Sequence, residues 1–270
     1  MASVEHCLYC FEALASHLEK RPGLSLKEIQ RSWPEYAKTL GDGKDGSKKL
    51  LPAMQRLAEP ASDSASASSG SSFSLAAETP TTSTDSLPDD DGDDNETITE
   101  SPLFVTWNTI SPRSGHRSLR GCIGTFEAQD LEDGLSSYAL TSALHDMRFP
   151  PVEASELPSL EVAVTLLTDF EDADDAMDWT LGVHGLRISF THHGKRYGAT
   201  YLPDVAVEQE WTKEETLVSL MRKAGWMGSK SKWRDVELKV VRYQGKKESL
   251  EYGEYKKWAD WVKKNKAKSG

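Results

Sequence analysis

Cysteine is scarce in this 270-residue chain. Only Cys7, Cys10 and Cys122 occur, an odd number that gives no disulfide framework and fits free thiols in a reducing compartment. Long apolar runs are missing too. None approaches the roughly 20 residues a membrane helix needs, and the opening MASVEHCLYCFEAL has no basic leader before its amphipathic pattern begins. The expectation is an intracellular protein, in cytoplasm or nucleus, with no membrane association. P-loop, GxGxxG, HExxH and GxSxG patterns are absent as well, which speaks against the common nucleotide, zinc-protease and hydrolase chemistries and leaves no cofactor to expect.

Basic residues are missing from one long stretch. Glu59 to Glu100 holds eleven acidic residues and no Lys or Arg. Removing those 11 from the 43 Asp plus Glu leaves 32, against 32 Lys plus Arg. The net charge of −11 therefore belongs to a segment, and the remainder gives nucleic-acid binding no support from overall charge. From Gly41 to about Glu100 the turn-rich, Ser-rich and acidic composition predicts a disordered insertion, either a solvated linker or a tail regulated by phosphorylation.

What is present reads as mixed secondary structure. Ser3 to Lys20 places Val4, Cys7, Leu8, Phe11, Leu14, Ala15 and Leu18 on one helical face. Ser25 and Glu28 have capping-box spacing for a short helix ending near Ser32, before Pro34. Leu103 to Trp107 reads as a strand and Leu119 to Phe126, LRGCIGTF, as its hairpin partner. Asp130 is an N-cap candidate for a helix to about Met147. Further strands are expected at Leu160–Leu167, Gly182–Phe190, Arg196–Leu202 and Val236–Tyr243. Helices are expected after the Thr212/Glu215 capping box, stopped by Gly225, and at Tyr252–Lys264. The order implies an α+β fold with largely antiparallel pairing.

LRGCIGTF, together with SALHDMRFPP, GVHGLRISF, ATYLPDVA, SLMRKAGW and the early CLYCF, resembles the AMMECR family. The likeness covers the first helix and about Pro102 to Tyr255. It implies a two-lobed α+β fold, a mostly antiparallel sheet flanked by helices, with a groove near RGCIG. It also implies residues 1–22 as the first helix of the domain, 23–100 as an inserted segment, 101–255 as the main body and 256–270 as a basic helix end and tail. The family has no settled biochemical activity, and its genes resemble companions of Memo-type and radical S-adenosylmethionine proteins.

The site reading centres on Arg120, Gly121, Cys122, Ile123, Gly124 and Thr125, with Arg148 and His184 as further ligand-binding candidates. Glycines in a strand permit a bulge or a close backbone approach that could offer amides to an anion, and an arginine could pair with a carboxylate or phosphate. The competing reading is a tightly packed strand, with glycine making room for a helix, Cys122 as a small buried hydrophobe and Arg120 salt-bridged. As a catalytic nucleophile Cys122 would need a base and a lowered pKa. His145 and His184 are the candidates, and His184 is preferred because the family does not require histidine at the position of His145.

Asp146 and Arg148 suit the pinning of a helix end to a loop. Cys7 and Cys10 suit core packing better than a metal, since zinc needs about four ligands. Three functions stay open: a binding module for a small ligand or protein partner, an enzyme acting on a small anionic substrate through Cys122, and a nucleic-acid-associated factor using the Trp- and Lys-rich stretches GWMGSKSKW and KKWADWVKKNKAK.

Overall fold

The computed structural model describes residues 1–41 and 99–269; most of the expected disordered insertion lies outside the described residues. The chain divides into two compact units. Of the described residues, the first unit takes 1–41, 100–170 and 243–269, and the second takes 99 and 171–242. Six strands, β1 (Glu100–Ile110), β2 (Arg117–Asp130), β3 (Leu160–Asp172), β4 (His184–His192), β5 (Lys195–Tyr201) and β6 (Lys239–Glu251), follow the order β2-β1-β3-β6-β4-β5. Among the described residues no helix is long and apolar enough to cross a membrane.

The first unit opens with α1 (Val4–Glu19). Of its apolar residues at helical spacing, Cys7, Leu8, Phe11 and Leu14 are fully buried. Helix α2 (Leu26–Gly41) begins at the expected capping box, where Ser25 N–H donates to Glu28 at 2.9 Å. It does not stop near Ser32. Pro34 is accommodated inside the helix, because Ile29, Trp33 and Tyr36 bury in the core and Tyr36 packs on Trp261 at 5.6 Å. The segment expected as an insertion from residue 23 thus starts with a core helix.

Strands β1 (Glu100–Ile110) and β2 (Arg117–Asp130) form the expected hairpin. Asp130 caps α3 (Leu131–Leu144) by accepting from Asp133 N–H. That helix ends before Met147, since His145 N–H closes on Thr141 O and the Asp146 side chain is engaged elsewhere. A 3-10 turn, Ala154–Ser159, leads into β3 (Leu160–Asp172). Leu103, Val105 and Trp107 pair with Leu166, Val164 and Val162. All six are fully buried on one face of the sheet, as period-2 side-chain alternation requires.

In the second unit, β4 (His184–His192) and β5 (Lys195–Tyr201) turn through His193 and Gly194, both at positive φ, the geometry of a tight two-residue hairpin turn. After the short α4 (Pro203–Glu208), α5 (Lys213–Lys223) starts at the Thr212/Glu215 capping box. Its Leu217, Leu220 and Met221 bury in one core with Leu186, Ile188, Phe190 and Trp226. Strand β6 (Lys239–Glu251) begins later and runs further than the sequence suggests, passing from the second unit into the first. Helix α6 (Tyr252–Ser269) returns to the first core. There Tyr255 and Arg21 both bond to the buried Glu12 carboxylate, at 2.6 Å each.

Candidate functional site

RGCIG lies in β2, with Thr106 opposite Cys122 and Phe104 opposite Gly124. The register slips between Trp107 and Asn108, which pair with Gly121 and Leu119 and leave Arg120 unpaired. Such a bulge re-aims the side chain it carries. Arg120 turns to Glu156, making two bonds of 2.9 and 3.0 Å, and to the Pro150 carbonyl at 2.8 Å. Its guanidinium holds the Glu156 carboxyl below the usual carboxylate range.

Both glycines stand where a side chain has no room. A Cβ on Gly121 would lie 2.0 Å from the Ser142 carbonyl at the end of α3, and one on Gly124 would meet the Phe104 ring at 2.3 Å. These are close backbone approaches of the kind that exclude every other residue.

The loop after α3 grips Cys122 by its main chain. Cys122 N–H donates to Asp146 Oδ2 at 2.9 Å, and Arg148 Nη2 donates to Cys122 O at 3.1 Å. Arg148 and Asp146 also bind each other at 2.6 and 2.9 Å. Burial pushes the Asp146 carboxyl upward, but bonds from Arg148 and from the Cys122 and Arg148 amides outweigh it, and its pKa falls to about 2. The anion that the Cys122 amide could have bound is therefore supplied by the chain itself.

The thiol is buried, and Thr106 Oγ1 donates to its sulfur at 3.1 Å. Burial raises its pKa, with the Thr106 bond and the nearby Arg148 charge opposing that rise. His184 belongs to the second unit, where its Nδ1 accepts from Thr180 N–H at 2.9 Å. The sulfur's partner and the imidazole's partner are thus each within their own unit. His145 is exposed.

The structure brings Arg148 to the Cys122 carbonyl and Arg120 to the loop carbonyls of Pro150 and Pro151. Sequence reasoning left out Thr106, Glu156 and Met147. Glu156 carried no signal beyond its charge, and Thr106 none beyond its place on the partner strand. Met147 lies between the two gripping residues and is 101% exposed. The clamp that holds its neighbours leaves it projecting.

Cys7 and Cys10 are buried and donate to the Glu248 and Leu135 carbonyls. Among the described residues no group of three or more His, Cys, Asp or Glu side chains is placed to hold a metal. A shallow concavity of about 440 Å³ in the first unit is lined by Tyr9, Ser16, His17, Arg21, Ser136 and Leu140 among others, none of them from RGCIG.

Comparison with known proteins finds relatives described as uncharacterised. An uncharacterised protein of Arabidopsis thaliana is 49% identical over 156 residues, covering 57% of this chain and 72% of the relative. One from Schizosaccharomyces pombe is 45% identical over 154 residues, covering 57% and 77%. The crystal structure of an uncharacterised protein from Pyrococcus horikoshii aligns with a TM-score of 0.47 at 31% identity, covering 57% of this chain and 75% of that one. The profile of the AMMECR1 family matches residues 7–248, and with nearly the whole chain inside that match, this protein belongs to the AMMECR1 family.

Proposed function

We propose that this protein is a non-catalytic binding module for a protein partner, with the RGCIGT strand and the loop Asp146–Pro151 as its recognition face. The observation that carries the reading is the state of Cys122. A nucleophilic cysteine needs a thiolate in an electropositive, accessible setting. This thiol is buried, raised in pKa and bonded to Thr106, while Asp146 and Arg148 occupy its amide and carbonyl. What faces solvent is Met147, a flexible, polarizable side chain suited to a partner's apolar pocket, on a loop already ordered by its bonds to β2. Preorganisation of this kind removes part of the entropy cost of association.

Two measurements test it. Iodoacetamide labelling of the folded protein, read by mass spectrometry between pH 6 and 9, is expected to leave Cys122 unmodified. A photocrosslinking residue at position 147 is expected to give a discrete protein adduct in cells, where the same residue at the exposed Met227 gives none. Fast labelling of Cys122 at neutral pH, with no adduct from position 147, would instead favour an enzyme working on a small anionic substrate.

A further inference from the structure

The β4–β5 hairpin of the second unit has an unusual charge balance for this chain. From His184 to Tyr201 it contains Arg187, Lys195, Arg196 and three histidines, and no Asp or Glu. Register pairs Arg187 with Thr200, Ser189 with Gly198 and Thr191 with Arg196, so these six share the face turned away from the core. The opposite face carries Leu186, Ile188 and Phe190 with Tyr201, Ala199 and Tyr197.

Among the described residues, strand β5 ends the strand order and has β4 alone beside it. An edge strand directs alternate N–H and C=O groups outward, where they can pair with another chain. Among the described residues, one bond from outside the hairpin reaches the main chain of 195–200. It comes from Lys223 Nζ, 3.0 Å from Thr200 O. Lys223 also lies over the Tyr201 ring at 4.8 Å, and no carboxylate lies within ion-pair distance of it among the described residues. Its half-buried ammonium is held there despite a pKa lowered by burial.

We propose that β5 is a docking edge for an extended acidic peptide of a partner protein, one that alternates carboxylate and apolar side chains and adds to the sheet as a further strand. Main-chain pairing supplies affinity in such a mode, and alternate side chains supply selectivity. On the outer face the carboxylates meet the exposed Arg196. On the inner face the apolar side chains meet the half-buried Tyr197 and Tyr201. Gly198, exposed and without a side chain, leaves room at the centre. Lys223 guards the edge from the inner face, over Tyr201: an incoming strand must displace its ammonium from Thr200 O, a cost that the outer-face charge pairing offsets for an acidic strand and not for a neutral or basic one. The guard and the acid-free hairpin together select for charge.

The test uses the full chain and a fluorescein-labelled peptide of about ten residues alternating Glu and Val, followed by anisotropy. Two further peptides carry N-methyl groups on one or the other alternate set of amides. Saturable binding is expected, together with loss for one methylated peptide and retention for the other, the signature of a strand using one side of its backbone. Arg196→Glu, an exposed change, is expected to weaken binding about tenfold, Lys223→Met, which frees Thr200 O, is expected to strengthen it, and amide exchange at 196–200 is expected to slow on binding. The proposal is overturned if both methylated peptides bind like the parent, if no binding saturates below about 1 mM, or if the same amides are protected by self-association without peptide. This site is separate from the loop at Met147, so either can fail alone.

Discussion

Replacing Gly121 with alanine probes the geometry at the centre of the RGCIGT strand. The added Cβ would sit 2.0 Å from the Ser142 carbonyl, where real Cβ atoms essentially never come within 3.0 Å. At least 1 Å of movement is needed, and the obstacle is backbone. The end of α3 cannot give way cheaply: Trp107 Nε1 donates to Ala139 O at 3.0 Å, and Val152 N–H donates to Ala143 O at 3.0 Å. If β2 yields instead, Cys122 leaves Asp146. Overpacking costs typically 1–3 kcal/mol, and a lost bond to a charged acceptor about 1.5–3 kcal/mol, so Gly121→Ala should destabilise the first unit by about 3–5 kcal/mol. Urea unfolding followed by tryptophan fluorescence reports it, since Trp107 is fully buried. Gly253→Ala is the control. Nothing lies within 4 Å of its added Cβ in the first turn of α6, and it should be neutral or stabilising by up to about 1 kcal/mol. A loss below about 1 kcal/mol for Gly121→Ala, with an unchanged near-ultraviolet spectrum, would refute the close-approach argument.

Two other perturbations follow from the buried charges. Because the Asp146 pKa is depressed to about 2 from the usual 3.8, its contribution is fully present above about pH 4 and is lost as pH falls through 2; the shift corresponds to about 2 kcal/mol. Asp146→Asn should flatten the stability profile between pH 4 and 2, and parallel profiles would remove Asp146 as the cause. Arg21→Met leaves Glu12, whose side chain is 3% exposed, without its cation, and should cost about 2–4 kcal/mol. Tyr255→Phe removes one neutral donor from the same carboxylate and should cost about 1–2 kcal/mol. Chemical denaturation of both variants compares them, and a larger loss from Tyr255→Phe would contradict the assigned roles.

Much of the fold is legible in the sequence where local chemistry and burial agree. The face of α1, the Asp130 cap, the Thr212/Glu215 box and the two hairpins all carry short-range signals that the tertiary structure leaves intact. Where packing overrides the local signal, the reading fails. Pro34 marks a helix end by itself, yet Trp33 and Tyr36 on either side have buried places to fill, and the helix continues. The pattern after Asp130 extends to Met147, but Asp146 is recruited by a strand amide 24 residues earlier, which no periodicity can reveal. At the candidate site, the residue types were legible and their partners were not. RGCIG announces a special strand. Whether its arginine and amides serve an outside anion or the chain's own Asp146 and Glu156 depends on contacts across 24 and 36 residues.

The meeting of Glu12 and Tyr255, 243 residues apart, bears on how the molecule is made. As synthesis proceeds from the N-terminus, α1 leaves the ribosome with an apolar face and a carboxylate whose last partners come only with α6. Among the described residues the second unit, apart from Thr99, lies between the end of β3 and the middle of β6, so these residues have all emerged while α1 still waits. Contacts spanning nearly the whole chain slow folding, and apolar surface exposed meanwhile invites aggregation. Nascent-chain folding should therefore proceed from the inserted unit outward, with the first helix among the last elements to find its place.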